Sequence, residues 1–313
     1  MDSQGAGRNK PKGKPRDIVI VGGTHGNEKG GVWTVRHMQA KPSDFPASGL
    51  SVRAILANRE AIERNLRYLD RDLNRCFGPE LANATAEHPL RERRRALALA
   101  DEICPSGAAP DLVVDLHNTT SNMGVTWILP SLSPWPLYLA WQASLADSRV
   151  RILHTPETSQ SNVFLPSLGK DEVTLEIGPV AHGTHSHWAW EAADSQVRTL
   201  LGTLGELPDT FDPVAALADA RFEFFQTVSI ERYPLDDAGH TRCVIHQSAQ
   251  ARDYLPLADG EPLYFDPVEG VTLYHRGATI HPVFLGEAAY VESGISFHAT
   301  CRLRWDGLQG VPC

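Results

Sequence analysis

The sequence has few cysteines, and none of them forms a recognisable pattern. Their number is odd and no CxxC occurs. This argues against a disulfide framework and against a thiolate zinc site, and it favours a reducing compartment. We therefore expect a cytoplasmic protein. The cysteines are Cys76, Cys104, Cys243, Cys301 and Cys313.

Long apolar runs and an excess of positive charge are also missing. No run approaches the ~18 residues of a membrane span. Segment 1–16 is basic and rich in Gly and Pro, and it lacks the apolar stretch of a signal peptide, so we predict a disordered tail. The formal net charge of -9 makes nucleic acid or an anionic membrane an unexpected partner. A local cationic pocket for a small anionic substrate remains compatible with this charge.

The 313 residues suit one large domain and a smaller one. Four apolar runs, each typical of a buried parallel strand, alternate with helical patterns, which predicts an α/β sheet covered by helices on both faces. The strands are predicted at Asp17–Gly22, Ser51–Ala57, Asp111–Leu116 and Glu172–Ile177, and the helices at Gly30–Ala40, His88–Ile103, Pro136–Asp147 and His187–Leu204.

The composition changes near Glu206–Pro213 (ELPDTFDP), which has the prolines and acids of a linker. Six short runs rich in β-branched and aromatic residues follow: FEFFQTVSI, TRCVIH, EPLYF, VTLYH, HPVFL and FHATCRL. Regularly spaced short strands of this kind predict a mostly-β domain. We therefore expect an α/β domain over residues 17–207 and a smaller β-rich domain over 208–313.

Polar side chains follow three of the four predicted strands. His25 and Glu28 come after the first strand, His117 directly follows the third, and Glu176 lies near the end of the fourth. Ligands bind beyond the carboxyl ends of strands in open α/β sheets, so these residues should meet in one crevice. Two histidines and one carboxylate are the protein ligands of a hydrolytic zinc site. Asp115 shares a strand face with His117 and is placed to orient it.

Each of these signals has a simpler interpretation. A His-x-x-Glu pair is often a surface pair, and a His after a strand is often only a polar cap. The glycines around His25 suit a close approach of the backbone to a bound species. They would also suit a phosphate loop, but GGTHGNE matches neither GxGxxG nor GxxxxGK[ST]. Segment 65–75 (NLRYLDRDLNR) is either a carboxylate-binding cluster or a solvated helix end or turn.

Five segments occur in the order and spacing of the aspartoacylase family. They are GGTHGNE, RYLDRDLNRCF, DLHNTTSNMG, EIGP and the late Glu287-Ala288-Ala289-Tyr290. The resemblance covers nearly the whole chain after residue 16, and the related succinylglutamate desuccinylases are more distant. It implies a carboxypeptidase-like mixed α/β sheet flanked by helices, a smaller mostly-β C-terminal domain, and a metal-dependent hydrolase acting on linear amide bonds. Homo-oligomers are common in the family.

The resemblance also implies a role for individual residues. One zinc ion per subunit would be held by His25, Glu28 and His117. Glu176 would be the general base and acid: it would take the proton of a zinc-bound water that attacks the acyl carbonyl, and return it to the amine. Arg67 would face the acyl oxygen. The substrate-binding residues would be Arg67, Asn74, Arg75, Asn118, Glu176 and Tyr290.

N-acetyl-L-aspartate is the substrate that the resemblance favours, giving acetate and L-aspartate. Mammalian aspartoacylases carry an Arg before the catalytic Glu that binds the side-chain carboxylate. The matching window, 162–170, has no Arg, and Lys170 is its only cation. Phe164 and Leu165 suit an apolar pocket, as in the related aminoacylase for N-acetylated aromatic amino acids, which is the first alternative.

Two further alternatives belong to other classes. A zinc-binding protein without catalysis would not need Glu176, because three ligands complete the protein's share of the site. A serine or cysteine hydrolase is disfavoured because no GxSxG occurs. Two clusters also have plain interpretations. His182, His185 and His187 predict a solvated turn and helix start in preference to a second metal site, and the arginine-rich run around Glu92 predicts a salt-bridged helix face.

Overall fold

The structure is a computed structural model that describes residues 13–83, 85, 87, 89–156 and 163–307. Most of the predicted tail lies outside these residues. Within the described part of the tail, Lys14 Nζ donates a hydrogen bond of 2.7 Å to the carbonyl of Leu207. The backbone N–H of Arg16 donates to the Asp111 carboxylate at 2.8 Å, so the chain contacts the domain before its first strand begins.

Strands and helices alternate through the N-terminal part of the chain, as the apolar runs predict. All four predicted strands and all four predicted helices are present, with bounds that differ by a few residues. The elements are β1 (Asp17–Gly22), α1 (Lys29–Ala40), β2 (Ser51–Leu56), α2 (Arg59–Arg64), α3 (Arg91–Ile103), β3 (Leu112–Asn118), β4 (Gly124–Leu129), α4 (Pro134–Ala146), β5 (Val150–His154), β6 (Asp171–Gly178) and α5 (His187–Glu206).

Two strands of this part, β4 and β5, were not predicted. Strands β1, β2, β3 and β6 are parallel to one another. Strand β4 runs antiparallel to β6, while β5 is parallel to β4, so the sheet is mixed. This confirms the expected fold class, a mixed α/β sheet flanked by helices.

The C-terminal part is rich in strands, and each of the six predicted runs contains one. Its elements are α6 (Pro213–Ala218), β7 (Arg221–Arg232), β8 (Val244–Ile245), β9 (Pro262–Asp266), β10 (Gly270–Leu273), β11 (His281–Val283) and β12 (Ile295–Asp306). Strands β8, β9 and β10 form a small sheet, whereas β7, β11 and β12 join the large one. Its order is β11-β12-β7-β5-β4-β6-β3-β1-β2. The large sheet therefore continues past the expected domain boundary through the parallel pairing of β7 with β5.

The two faces of the large sheet pack into two separate cores. Ile18 and Ile20 of β1 pack in one core with residues of α1, α4 and α5, and Val19 and Val21 pack in the other with residues of α3. Side chains alternate between faces along a strand, so a strand covered on both sides must be apolar throughout. Helices cover both faces of the sheet, so the carboxyl ends of β1, β3 and β6 are left uncovered by them. Among the described residues, no helix combines the length and apolarity needed to cross a membrane.

Candidate active site

The sheet register places the candidate residues side by side. His117 on β3 pairs directly with Glu176 on β6, and Gly22 at the end of β1 pairs with Leu116. Directly paired residues point to the same face of a sheet. Three neighbouring parallel strands therefore bring His25, His117 and Glu176 close together although they are far apart in sequence. This is what the positions of the three residues at strand ends predict.

The loop from β1 to α1 carries His25 and Glu28, and two of its glycines explain its path. Gly23 has a φ of +72°, and a Cβ there would lie 2.4 Å from the Ile62 side chain. A Cβ on Gly26 would lie 2.1 Å from the carbonyl carbon of Ala61. The loop is thus pressed against α2 where only glycine fits. This contact turns His25 and Glu28 back over the end of the sheet.

Three donor atoms converge above this edge. His25 Nδ1 lies 3.1 Å from His117 Nδ1 and 2.8 Å from Glu28 Oε1. His117 Nδ1 lies 2.9 Å from Glu28 Oε2. All three residues are buried, with 3–5% of each exposed. Among the described residues they form the one cluster of three His, Cys, Asp or Glu side chains arranged to hold a metal ion.

The outer nitrogen of each histidine is occupied by a carboxylate. His117 Nε2 lies 2.8 Å from Asp115 Oδ2, and His25 Nε2 lies 2.9 Å from Asp72 Oδ1. A histidine that donates its Nε2–H to a carboxylate presents an Nδ1 lone pair to the centre, which is the arrangement typical of metal-ligating histidines. The donor set therefore fits a zinc ion held by His25, Glu28 and His117.

The electrostatics of the cluster favour positive charge at its centre. Burial alone would raise the pKa of Glu28, but His25 and His117 outweigh it and hold this pKa well below its usual range. Burial would lower the pKa of His117, but Asp115 and Glu28 outweigh it and raise this pKa well above its usual range. Buried carboxylates therefore surround the centre of the cluster, and a cation bound at that position would be stabilised by them.

Glu176 lies beside this cluster and behaves differently. It is buried, with 8% of the residue exposed. Burial raises the pKa of its carboxyl well above the usual range, an effect that nearby His117 and Arg67 only partly oppose and that Glu28 and Glu287 reinforce. A carboxyl that holds a proton to higher pH is suited to proton transfer near neutrality.

Arg67 connects the ligand cluster to a neighbouring cavity, which it lines. Its Nη1 donates to Glu28 Oε1 at 2.9 Å, and its Nη2 donates to Asp72 Oδ2 at 3.4 Å. The loop that follows is fixed by the buried Glu92 of α3, whose carboxylate accepts the backbone N–H groups of residues 69–71 at 2.7–3.2 Å. The predicted salt-bridged helix face is present in the ion pairs of Arg91 and Arg95. Glu92 does not belong to it, because its buried carboxylate holds this loop.

A cavity of about 270 Å³ opens beside Arg67. One wall comes from segment 67–75 and the other from segment 289–295 of the C-terminal part. The two walls are joined by a hydrogen bond of 2.7 Å from Tyr68 Oη to Glu292 Oε2. The lining residues include Arg67, Asp72, Arg75, Tyr290 and Glu292.

Arg75 and Tyr290 line this cavity from its two walls. The Arg75 guanidinium lies 4.7 Å from the ring centroid of Phe164 and donates to the carbonyl of Asn74 at 2.9 Å. The Tyr290 ring stacks on His298 with the centroids 5.4 Å apart. Burial raises the pKa of the Tyr290 hydroxyl, which therefore stays protonated and able to donate a hydrogen bond.

The two asparagines proposed as substrate ligands have other contacts. Asn74 Oδ1 accepts the backbone N–H of Leu165 at 2.8 Å. This bond fixes the backbone next to Phe164, whose ring packs on Arg75. Asn118 Oδ1 accepts the backbone N–H of Gly30 at 2.8 Å, and its side-chain amide donates to the carbonyl of Ile177 at 3.4 Å. Asn118 therefore supports the start of α1, and its predicted substrate contact stays a prediction that this geometry does not support.

Comparison with known proteins agrees with this fold. The model of the succinylglutamate desuccinylase/aspartoacylase catalytic domain matches residues 14–202, and the AstE/AspA barrel-sandwich hybrid domain matches residues 220–302. The chain belongs to the succinylglutamate desuccinylase/aspartoacylase family. Membership confirms the resemblance read from the sequence and the hydrolase class that it implied.

Individual relatives in this family cover nearly the whole chain. An N-acyl-aromatic-L-amino acid amidohydrolase of Xenopus tropicalis is 35% identical over 92% of this chain and 93% of its own length. A probable aspartoacylase of Acaryochloris marina is 32% identical over 91% of this chain and 95% of its own. The crystal structure of murine aminoacylase 3 superposes with a TM-score of 0.86 at 28% identity, covering 94% and 97% of the two chains.

Glu287 is a functional candidate that the sequence reasoning overlooked, although it stands in the EAAY motif of the family. Its Oε2 accepts hydrogen bonds from both hydroxyls of Thr119 and Thr120 and from the backbone N–H of Thr120 and Ser121. Glu287 therefore docks the segment that carries Tyr290 onto the loop after His117. Only the motif signals it, because its partners lie more than 160 residues away.

His182, His185 and His187 do not meet in a second metal site. His182 Nε2 lies 3.6 Å from Glu287, His185 Nδ1 accepts the indole N–H of Trp33 at 2.9 Å, and His187 packs edge-on against Trp190. Residues 181–186 form a turn and α5 begins at His187, so the preferred interpretation, a turn and helix start, is confirmed.

Proposed function

We propose that this family member is a zinc-dependent amidohydrolase that removes the acyl group from N-acyl amino acids with an apolar or aromatic side chain. The observation that carries the proposal is the convergence of His25, Glu28 and His117 beside Glu176. Arg67, which lines the cavity, donates to Glu28 and so joins this cluster to it. This set combines a cation site with a proton-transfer group, which amide hydrolysis requires.

The three ligands would hold zinc, which supplies a Lewis acid that lowers the pKa of water to about 7 and polarises a carbonyl. Asp115 and Asp72 keep the histidines in the tautomer that presents Nδ1 inward. They also fix both rings, so the ligands need little rearrangement on binding.

Glu176 accepts a proton from the attacking water and then donates it to the amine nitrogen as the amide bond breaks. One carboxyl serves both steps because its raised pKa lets it hold the proton between them. Arg67 is positioned to donate a hydrogen bond to the acyl oxygen as negative charge develops there. A fixed donor of this kind contributes most in a site that excludes water.

Arg75 would bind the carboxylate of the amino acid. Stacking on Phe164 and a bond to the Asn74 carbonyl hold its guanidinium at the cavity wall. Arg67 is already engaged by Glu28 and Asp72. Among the described lining residues this leaves one arginine for a substrate carboxylate, in a cavity that also contains the carboxylates of Asp72 and Glu292.

This charge balance favours a substrate with a single carboxylate. Lys170, the sole cation of the 162–170 window, pairs with Asp111 at 2.8 Å on the surface. Phe164, whose ring lies 4.7 Å from the Arg75 guanidinium, adds an aromatic group next to the cavity, which suits an apolar or aromatic side chain. The amidohydrolase of Xenopus tropicalis is named for N-acyl-aromatic substrates, in agreement with this choice.

N-acetyl-L-aspartate, the substrate favoured from the sequence, remains the second candidate. The similarity to the probable aspartoacylase of Acaryochloris marina supports it. A second carboxylate would then need a cationic partner other than Lys170.

The test is amine release by zinc-loaded protein from N-acetyl-L-phenylalanine, N-acetyl-L-tyrosine, N-acetyl-L-aspartate and N-succinyl-L-glutamate, with and without a chelator. We expect preferential hydrolysis of the aromatic substrates, lost with the chelator and restored by zinc. Preference for N-acetyl-L-aspartate would reject the proposed side-chain class. Hydrolysis of none of the four would reject the catalytic proposal.

A further inference from the structure

A second concave surface lies between α1 and the start of α5, apart from the cavity that holds Arg75. We call it the Trp33–Trp190 groove. It encloses about 610 Å³ and its main lining residues are Trp33, Arg36, His37, His185, His187 and Trp190. Small-molecule sites are typically clefts of roughly 300–1,000 Å³ lined mainly by apolar and aromatic groups, so the size and the lining suit a ligand.

The aromatic walls of the groove are fixed in orientation. The Trp33 indole N–H donates to His185 Nδ1 at 2.9 Å, although 41% of the Trp33 residue is exposed. The Trp190 ring packs against His187 and His37, with centroids 5.4 and 5.9 Å apart. Indoles that are held in place, such as the exposed Trp33 and the half-buried Trp190, lose little entropy when a flat ligand stacks against them.

The charge of the groove is positive and comes from Arg36. The Arg36 guanidinium is exposed and lies 5.1 Å from the Trp33 ring centroid. His37 is bonded to both Asp44 and Asp194, which directs these two carboxylates to the imidazole. No carboxylate is among the described lining residues. The groove thus offers a guanidinium over an aromatic wall in a protein whose net charge is -9.

From this combination we propose that the Trp33–Trp190 groove is a binding site for a planar aromatic carboxylate. The ring of the ligand lies between the Trp33 and Trp190 indoles, and its carboxylate receives a paired hydrogen bond from the Arg36 fork. A neutral aromatic compound lacks the anion for Arg36, and an aliphatic acid lacks the ring.

This site is distinct from the catalytic one but adjoins the elements that support it. Helix α1 begins directly after Glu28, and the backbone N–H of Gly183, just before α5, donates to the carbonyl of Asn27 at 2.7 Å. The proposal does not rest on the proposed function, because it uses none of the ligand or cavity residues.

Calorimetric titration with 3-phenylpropionate, which has no amide to hydrolyse, tests the site in the zinc-loaded full chain. We expect binding at the groove that falls about tenfold or more in Arg36→Gln, since hydrogen bonds to charged groups contribute roughly 1.5–3 kcal/mol. Trp33→Ala should weaken the same binding, while butyrate and 3-phenylpropanol should bind poorly. Arg304→Gln on β12 removes the same charge elsewhere and should leave it unchanged.

Arg75→Ala separates the two sites, because it should remove binding at the catalytic cavity and leave the groove. Binding that disappears in Arg75→Ala and survives both groove variants would overturn the proposal. A lower molecular mass of Trp33→Ala by light scattering would also overturn it, since the groove would then be an interface between copies. If hydrolysis fails while groove binding persists, only the proposed function is rejected.

Discussion

The two sides of the candidate active site each carry a buried glutamate, and the two glutamates differ in their surroundings. Glu28, on the β1 side, contacts two imidazoles and an arginine, and His25 and His117 outweigh the effect of burial and hold its pKa well below its usual range. Glu176, on the β6 side, faces other acids as well as His117, and burial raises its pKa well above that range. Two glutamates of similar burial therefore have opposite pKa shifts, because the histidines beside Glu28 outweigh the effect of burial.

The difference assigns the two carboxyls to different work. A carboxylate that stays ionised when buried is prepared to bind a cation, whereas one whose pKa is raised is prepared to accept a proton and then return it. The comparison teaches that the neighbours of each glutamate, rather than its depth, decide its role. Four substitutions test this division, and we give them from the largest expected effect to the smallest.

The largest effect is expected for Glu176→Gln, which keeps the shape and removes the titrating group. Turnover of the best substrate should fall by roughly 10²–10⁴ because general acid–base catalysis is lost. Steady-state kinetics measure this, with Glu191→Gln on the exposed surface of α5 as the control. Turnover within tenfold of the wild type would show that Glu176 does not move the proton.

Arg67→Gln tests the donor that sits between the two glutamates. We expect kcat to fall by about 10²–10³, as for the loss of one oxyanion donor, with a smaller change in KM. Arg64→Gln on α2 is the matched control, because Arg64 is exposed and pairs with Glu60 on the surface. A rise in KM with unchanged kcat would place Arg67 in ground-state binding instead.

Asp115→Asn tests the metal-binding side of the site alone. The Asp115 side chain is fully buried against His117, so its loss should weaken zinc affinity by about 10–100-fold. Competition with a chromogenic chelator measures the affinity, and Asp101→Asn on α3 is the control. Unchanged affinity would mean that Asp115 does not orient His117.

The smallest effect is on stability in the zinc-free protein. Glu176 has a raised pKa, so the folded state loses stability as pH rises above the ~4.3 of an unperturbed Glu. Glu28 has a lowered pKa, so its contribution is present above that pH and is lost as pH falls. At neutral pH, Glu176→Gln should therefore raise the free energy of unfolding, and Glu28→Gln should lower it.

Urea unfolding of both variants at neutral pH and near pH 5 measures these changes. Shifts of the same sign in the two variants would contradict the comparison between the glutamates.

Much of the fold could be predicted because buried parallel strands are apolar throughout. That pattern identified β1, β3 and β6, and their ends located His25, His117 and Glu176. Strand β4 was missed because it directly follows the polar stretch HNTTSNMG, which reads as a loop. The pairing of β7 with β5 was missed because local sequence does not specify which strands become neighbours.

The support around the site was harder to predict than the ligands. Asp72 reaches His25 across 47 residues, and Glu287 reaches Thr119 across 168. Glu92 resembles the other charges of its helix and differs only in facing inward, where it accepts three backbone N–H groups. Such partners are set by tertiary packing, so composition and periodicity carry no signal for them.

The central claim is that Glu28 binds the metal and Glu176 does not. Zinc content of purified wild-type, Glu28→Gln and Glu176→Gln protein tests it most directly, alongside hydrolysis of N-acetyl-L-phenylalanine. We predict about one zinc ion per chain in the wild type and in Glu176→Gln, with turnover in the wild type alone, and a large loss of zinc in Glu28→Gln. Loss of zinc from Glu176→Gln, or its full retention in Glu28→Gln, would contradict the account.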